Sequence, residues 1–478
     1  MDLKKSAVKG VKWTTLSSII VSVIQVLQII ILTKLLKPSD FGLMAIVVFI
    51  LNFSQIFIDL GVSNVIIYKN DITKKQLSTL YWLNILIGIF LFFVIFFSSN
   101  GFGYFYNDIR LVPLVKIIAL IFLIIPFGQQ FQVLLKKELN FKSLAIRDII
   151  SRISSFFVVV ALAYFGFGVY ALVYGSVFYS FLNTILVLII GFKIHRPTFY
   201  FKLSIVLEFF NFGLFQMGEK IVNYFNKEVD TLIIGRLLGM EALGVYNLAK
   251  DFISKPYLLI NPIITKVSFP VMSKLNGDVI KIKGVYLKTL RLLTLLNAII
   301  FSFCFFFSKE VILLFFGSQW LEASVPLSIL SIYMLIRSVG NPAGSLQLSV
   351  GRADLGFYWN LIVLFTVPLL VYVGSFWGII GICSSLLIGQ ILLYIPSWKY
   401  MVNKLVPITL KEYNGTQYPY FVLSFISCLP AFMFFYFFEI NNTVRFLIAG
   451  FTSVFIYLYF VYSFMKDDFN YIYKIFKK

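Results

Sequence analysis

Gln216, Lys220, Asn223, Lys227 and Asp230 follow one another at steps of four, three, four and three residues. On an α-helix that spacing puts all five on one face, along a stripe ~21 Å long at the helical rise. Two ammoniums, two amides and one carboxylate in a row suit an anionic head group that also carries sugar. The cations lower the cost of bringing in a phosphate or diphosphate, and the amides match hydroxyls. A pump for cationic compounds would need surplus carboxylates instead. Lys220, Asn223, Lys227 and Asp230 are therefore candidate substrate-binding residues.

Further polar residues interrupt neighbouring apolar segments, where ionisable groups generally face a bundle interior or a wet cavity. Asn247, Lys250, Asp251, Ser254, Lys255 and Asn261 lie in one such segment, and Asn52, Gln55 and Asp59 in another. A third carries Arg147, Asp148, Ser151, Arg152 and Ser155, with Asp148 and Arg152 spaced for an intrahelical ion pair. Arg337 and Asn341 share a helix face. Lys250, Arg337 and Arg152 join the binding candidates, and Asp59, Asp230 and Asp251 are candidates for coupling to an ion. Arg147, Lys255 and Arg291 fall near the ends of apolar runs, where long side chains snorkel to lipid head groups. Glu219 and Glu228 sit off the Lys220–Lys227 stripe but within reach of it. Cys304, Cys383 and Cys428 show neither metal spacing nor a pairing framework and read as buried thiols. The one histidine, His195, lies in a basic connector. No catalytic residue, metal site or cofactor is expected.

The elements that position these residues follow from composition. Sixty per cent of the 478 residues are hydrophobic and 13% are charged, far from soluble-domain averages, so lipid must be the main solvent. The formal charge of +20 does not indicate nucleic acid, because Lys and Arg sit in short segments between apolar runs. Fourteen spans of about twenty residues are expected, at 13–33, 41–62, 77–97, 111–135, 145–165, 168–191, 209–235, 243–263, 289–308, 321–346, 356–374, 377–397, 418–438 and 444–464. The fifth and seventh are weak because of their charges. The first run is too long for a signal-peptide core and lacks a cleavage site after it. Connectors on the side of the termini hold 27 Lys and Arg against 6 on the other, which places both termini in the cytoplasm. No connector has room for a catalytic domain, and no GxxxxGK[ST] phosphate cradle is present.

Residues 33–46, TKLLKPSDFGLMAI, align without gaps onto 235–248, GRLLGMEALGVYNL, at an offset of 202. Leu35/Leu237, Leu36/Leu238 and Gly42/Gly244 are identical. A weaker echo pairs Lys142 with Arg352 and Gly168 with Gly378. Six spans separate the copies, so both enter the membrane in the same direction, as in transporters built from parallel repeats. The expected architecture is all-α and polytopic: an N-lobe at 1–203, a C-lobe at 204–405 and a helix pair at 406–478. The repeat sets Gln25 and Gln28 opposite Lys227 and Asp230, so both join the binding candidates.

The stretch FGLFQMGEKIVNYFNKEVDTLIIGRLLGMEALGVYNLAK within Phe212–Leu275, followed by FPVMSKL, resembles the polysaccharide flippases of the multidrug/oligosaccharidyl-lipid/polysaccharide exporter superfamily. So does QVLLKKELNFKSLAIRDIISRISSFFVVVALAYFGFGVYALV at 132–173, and the likeness to the Wzx-type branch runs over essentially the whole chain. The resemblance implies a V-shaped pair of bundles around a cavity lined largely by spans 1, 2, 7 and 8. It implies an undecaprenyl-diphosphate-linked oligosaccharide as cargo, for O-antigen, capsule or exopolysaccharide, exchanged against a proton or sodium gradient in the bacterial inner membrane. Other polysaccharide-assembly proteins are implied partners. Rival readings are a drug or metabolite exporter or a lipid II flippase of the same superfamily, and a membrane-bound polysaccharide polymerase.

Overall fold

A computed structural model describes residues 3–59, 66, 72–275, 278–437 and 441–466, with side chains at 3–9, 11, 59, 208–216, 353 and 436 excepted. It divides into two compact units, Met1–Gly244 and Val245–Lys478. The first contains α1 (Leu3–Leu35), α2 (Pro38–Asp59), α3 (Lys74–Tyr106), α4 (Leu111–Ala119), α5 (Ile121–Lys137), α6 (Phe141–Tyr164), α7 (Val169–Gly191) and α8 (Leu203–Leu237). The unit boundary falls inside α9 (Gly239–Lys274). The second unit continues with α10 (Val279–Phe306), α11 (Ser308–Phe315), α12 (Ser324–Gly340), α13 (Pro342–Ser349), α14 (Ala353–Ser375), α15 (Gly378–Trp398), α16 (Leu410–Gly415), α17 (Tyr418–Phe437) and α18 (Asn442–Phe464). No strand occurs among the described residues.

Local chemistry sets the helix starts. Thr73 and Gln76 form a reciprocal capping box ahead of α3, and Thr409 and Glu412 form another ahead of α16, satisfying amides that the first turn leaves open. Asn140 caps α6 and Asp278 caps α10 through their side chains. The N-terminal basic segment, expected to lie outside the first span, belongs to the same continuous helix, which begins at Leu3.

Eleven helical segments among the described residues are long and apolar enough to cross a membrane. The other three expected spans are α6, α8 and α9, of 24, 35 and 36 residues. Each is long enough to cross, but charge lowers its hydropathy. For α6 and α8 the sequence anticipates this. For α9 it does not, although Lys250, Asp251 and Lys255 and three internal prolines are the evident cause. The outward faces suit lipid: Phe365 on α14 is 74% exposed and Phe451 on α18 is 77% exposed.

In the first unit α6 packs between α1 and α7, α5 packs on α3 and α7, and α2 packs on α8. Gly175 of α7 lies so close to Val159 of α6 that a β-carbon would overlap the valine methyl, the small-residue contact by which helices approach without a hydrophobic driving force. In the second unit α10 contacts α12 and α17, and α14 packs on α15. The last helix pair is pinned by polar contacts. Ser302 and Ser424 share a hydroxyl hydrogen bond of 2.8 Å, Tyr457 Oη donates to the Leu295 carbonyl at 3.0 Å, and Arg445 pairs with Glu310 at 3.3 Å. Cys304, Cys383 and Cys428 are buried and form no disulfide.

Candidate functional site

Helix α8 carries the charged stripe as one unbroken helix. Asn223 and Lys227 are exposed, Lys220 is half-buried, and Asp230 is 6% exposed; the side chain of Gln216 lies outside the described residues. The stripe therefore turns from an open face into the protein at its C-terminal end. There the Asp230 carboxylate accepts the Thr231 backbone N–H at 2.8 Å. Lys227 approaches Glu228 at 3.4 Å, with 60% of the lysine side chain and 21% of the glutamate still exposed. The off-stripe acid that the sequence places within reach is thus Lys227's neighbour.

Helix α8 is fixed against α2 by an aromatic clamp that the sequence reading did not single out. Tyr224 Oη donates to the Phe49 carbonyl at 2.9 Å, and the rings of Phe49, Phe53, Tyr224 and Phe225 pack at centroid distances of 5.3–6.3 Å. Tyr224 and Phe225 directly follow Asn223, so the clamp holds the back of the helix whose front carries Asn223 and Lys227. The signal was present as Phe49, Phe53 and Phe57 at four-residue steps. On α1, Gln25 and Gln28 are half-buried, and Gln28 Oε1 meets no hydrogen-bond donor. Asp59 lies outside the described side chains.

Helix α6 departs from expectation twice. Asp148 does not pair with Arg152 one turn on. It accepts from Arg147 Nε and Nη2 at 3.1 and 2.7 Å and from Asn183 Nδ2 of α7 at 3.1 Å. Arg152 instead lies over the Tyr179 ring at 4.3 Å, a cation–π contact. Arg147 does not snorkel. It is 4% exposed, because the carboxylate beside it offers a partner inside the protein. Asn183, a lone amide in an apolar span, was the residue whose presence could have signalled this arrangement.

In the second unit, Lys250 is half-buried with its ammonium 5.9 Å from the Tyr246 ring, and Asp251 is exposed. Arg337 Nη1 donates to Tyr333 Oη at 2.6 Å. Asn261 is buried in a structural relay: its amide donates to the Ser338 carbonyl at 2.7 Å and accepts from Asn297 at 3.0 Å. No group of three or more His, Cys, Asp or Glu residues that could hold a metal occurs among the described residues.

Comparison with known proteins agrees with this all-helical fold. A family model described as "Polysaccharide biosynthesis protein" matches residues 31–325. The teichuronic acid biosynthesis protein TuaB of Bacillus subtilis (strain 168) is 36% identical over 359 residues, covering 75% of this chain and 74% of that protein. The lipopolysaccharide biosynthesis protein WzxC of Escherichia coli (strain K12) is 31% identical over 425 residues, covering 89% and 86%. Among solved structures, the lipid II flippase MurJ in an inward closed conformation superimposes with a TM-score of 0.77 at 16% identity, over 96% of this chain and 99% of that one. An inward-facing multidrug resistance MATE transporter gives 0.55 at 13%, over 82% and 94%. Both share the fold, and the molecule is a multi-pass all-α membrane protein.

Proposed function

This chain belongs to the polysaccharide biosynthesis protein family, and we propose that it is a flippase for an undecaprenyl-diphosphate-linked oligosaccharide. The observation that carries the reading is the open face of α8. Asn223 and Lys227 are exposed in the middle of a helix of spanning length, and a lysine there is tolerated only against water or a polar cargo. Water on that face admits a charged head group, and Lys220 and Lys227 offset its phosphates. The relatives named for teichuronic acid and lipopolysaccharide biosynthesis favour an oligosaccharide cargo over a drug.

Several further points belong to the same proposal. Residues 1–203 and 204–405 are the two repeats and 406–478 the added pair. Transport follows alternating access driven by an ion gradient, with Asp230 and Asp251 as coupling groups. The protein sits in the bacterial inner membrane with both termini cytoplasmic, where assembly enzymes deliver the cargo.

The test is translocation of a fluorescent polyprenyl-diphosphate oligosaccharide by the purified full-length protein in sealed vesicles. Flipping is expected without ATP, with loss of accumulation when proton and sodium gradients are both dissipated. Lipid II supplied in the same vesicles should move more slowly. Absence of oligosaccharide movement under an imposed gradient, with the protein folded and correctly inserted, overturns the proposal.

A further inference from the structure

Between α1, α5 and α6, wholly within the first unit, lies a cavity of ≈170 Å³ separate from the α8 stripe. Its wall includes Thr14, Ser17 and Ser18 of α1, Gln132 and Lys136 of α5, and Arg147 of α6. At roughly 30 Å³ per water molecule, it has room for a small polar group such as a phosphate.

Its electrostatics select for an anion. Arg147 and Asp148 both line it and neutralise each other at 2.7 Å. Lys136, exposed at the rim, leaves the lining one positive charge in excess. Arg147 is 4% exposed, and its Nη1 meets no hydrogen-bond acceptor. A buried guanidinium nitrogen left without an acceptor forgoes a strong charge-assisted hydrogen bond. The Gln132 amide adds a neutral donor, whereas the Thr14, Ser17 and Ser18 hydroxyls already donate to the carbonyls of Gly10, Ala145 and Thr14. Helix α6 begins at this wall with Phe141, so its dipole also favours negative charge there.

The surroundings point to a lipid as the bearer of that charge. The cavity sits against the N-terminal half of α1, where α5 ends and α6 begins, at the basic side of the membrane. Helix α1 also presents Leu16, Ile19, Val23 and Leu27 outward, each between 45 and 52% exposed. A head group in the cavity would leave its acyl or prenyl chain beside these apolar side chains.

We infer that this cavity binds the phosphate-bearing head group of a membrane lipid at the cytoplasmic face, apart from the α8 stripe. Two lipids carry that chemistry: a resident anionic phospholipid and the diphosphate-linked cargo. The inference rests on the proposed orientation for its sidedness, but its test does not use transport. A failure of either reading therefore leaves the other standing.

The purified full-length protein is titrated in neutral detergent with dioctanoyl phosphatidylglycerol, farnesyl diphosphate, inorganic phosphate or dioctanoylglycerol, and binding is followed by native mass spectrometry. Wild type should bind at least one phosphate probe about tenfold more tightly than Lys136→Gln, the loss expected for one charge-assisted contact. Because Lys136 is exposed, that variant tests the cavity without risk to folding; Arg147→Lys should weaken binding while keeping the charge. Preference for phosphatidylglycerol assigns the site to a resident phospholipid, and preference for farnesyl diphosphate assigns it to the cargo. Equal binding of dioctanoylglycerol, binding unaffected by Lys136→Gln, or binding of inorganic phosphate alone overturns the inference.

Discussion

Gly42 of α2 and Met240 of α9 are in backbone contact: a β-carbon built on Gly42 would overlap the Met240 carbonyl oxygen. The relation is reciprocal. A β-carbon on Gly244 would overlap the carbonyl oxygen of Pro38, and Pro38 and Met240 are themselves 202 residues apart, as are Gly42 and Gly244. The two aligned glycines thus each receive the same backbone atom from the other copy of the motif, all within the first unit. Identity at Gly42/Gly244 has a steric cause, since neither position has room for a side chain.

The first prediction follows from that contact. Gly42→Ala and Gly244→Ala should each lower thermal stability of the purified protein and export per unit of membrane protein. The double variant should cost less than the two losses combined, because the first has already separated the helices. Wild-type melting temperature and export in both single variants would show that the backbones are not pressed together.

Orientation can be tested independently. In a cysteine-free background, single cysteines at the exposed positions Arg196 and Lys404 should resist an impermeant thiol reagent in intact cells, whereas those at Asn107 and Asn441 should react. Labelling at Arg196 or Lys404 without permeabilisation would invert the assignment made from the 27-to-6 charge bias.

His195, in the connector after α7, is 6% exposed, and its Nε2 has no partner. Burial holds its pKa below the usual 6.5, with the Lys74 charge pushing the same way. The unfolded chain therefore takes up this proton first as pH falls. Stability contributed by neutral His195 is present above about pH 6.5 and is lost as pH drops from there through the depressed folded value. The melting temperature of wild type should fall more steeply than that of His195→Asn between pH 7.5 and 5.5. Parallel profiles would remove the histidine from the acid response.

Much of this was readable from spacing alone, for a definable reason. A stripe at steps of three and four depends only on helical geometry, so Asn223 and Lys227 emerge on one face as expected. Partner choice does not depend on spacing. Asp148 had Arg147 and Arg152 within reach on its own helix, and an amide on α7, Asn183, joined the arrangement from 35 residues away. Burial of Asp230 is likewise a tertiary fact: the same face that is open at Lys227 is covered one turn later. Hydropathy likewise undervalues α9 because it does not register partners: Asn261 is enclosed by α10 and α12 groups that bond to it.

That enclosed relay supplies another test. Replacing Asn297 with Leu removes the donor to Asn261 Oδ1 and leaves a buried acceptor unmet, at a cost of about 1–3 kcal/mol. Asn261→Leu strands the Ser338 carbonyl and Asn297 together and should cost at least as much. Both should melt earlier while vesicle insertion stays intact. If either variant matches wild type in denaturation, the amides are not holding α9, α10 and α12 together.

The decisive substitutions are at Lys227. Its side chain is 60% exposed and its neighbour Glu228 lies 3.4 Å away, and an open ion pair of that kind contributes about 0–1 kcal/mol. Lys227→Ala should therefore leave abundance and topology unchanged while export falls, since what is lost is a charge for the cargo's diphosphate. Lys227→Glu should be worse, because a like charge then faces the cargo, and Lys227→Arg should retain most export. The exchange Lys227→Glu with Glu228→Lys separates the two roles. It preserves the pair but moves the cation about 100° around the helix, off the face shared with Asn223. Under the cargo reading the exchanged protein is present at normal level and exports nothing. Full export by the exchanged protein would mean that Lys227 serves Glu228 and not the substrate.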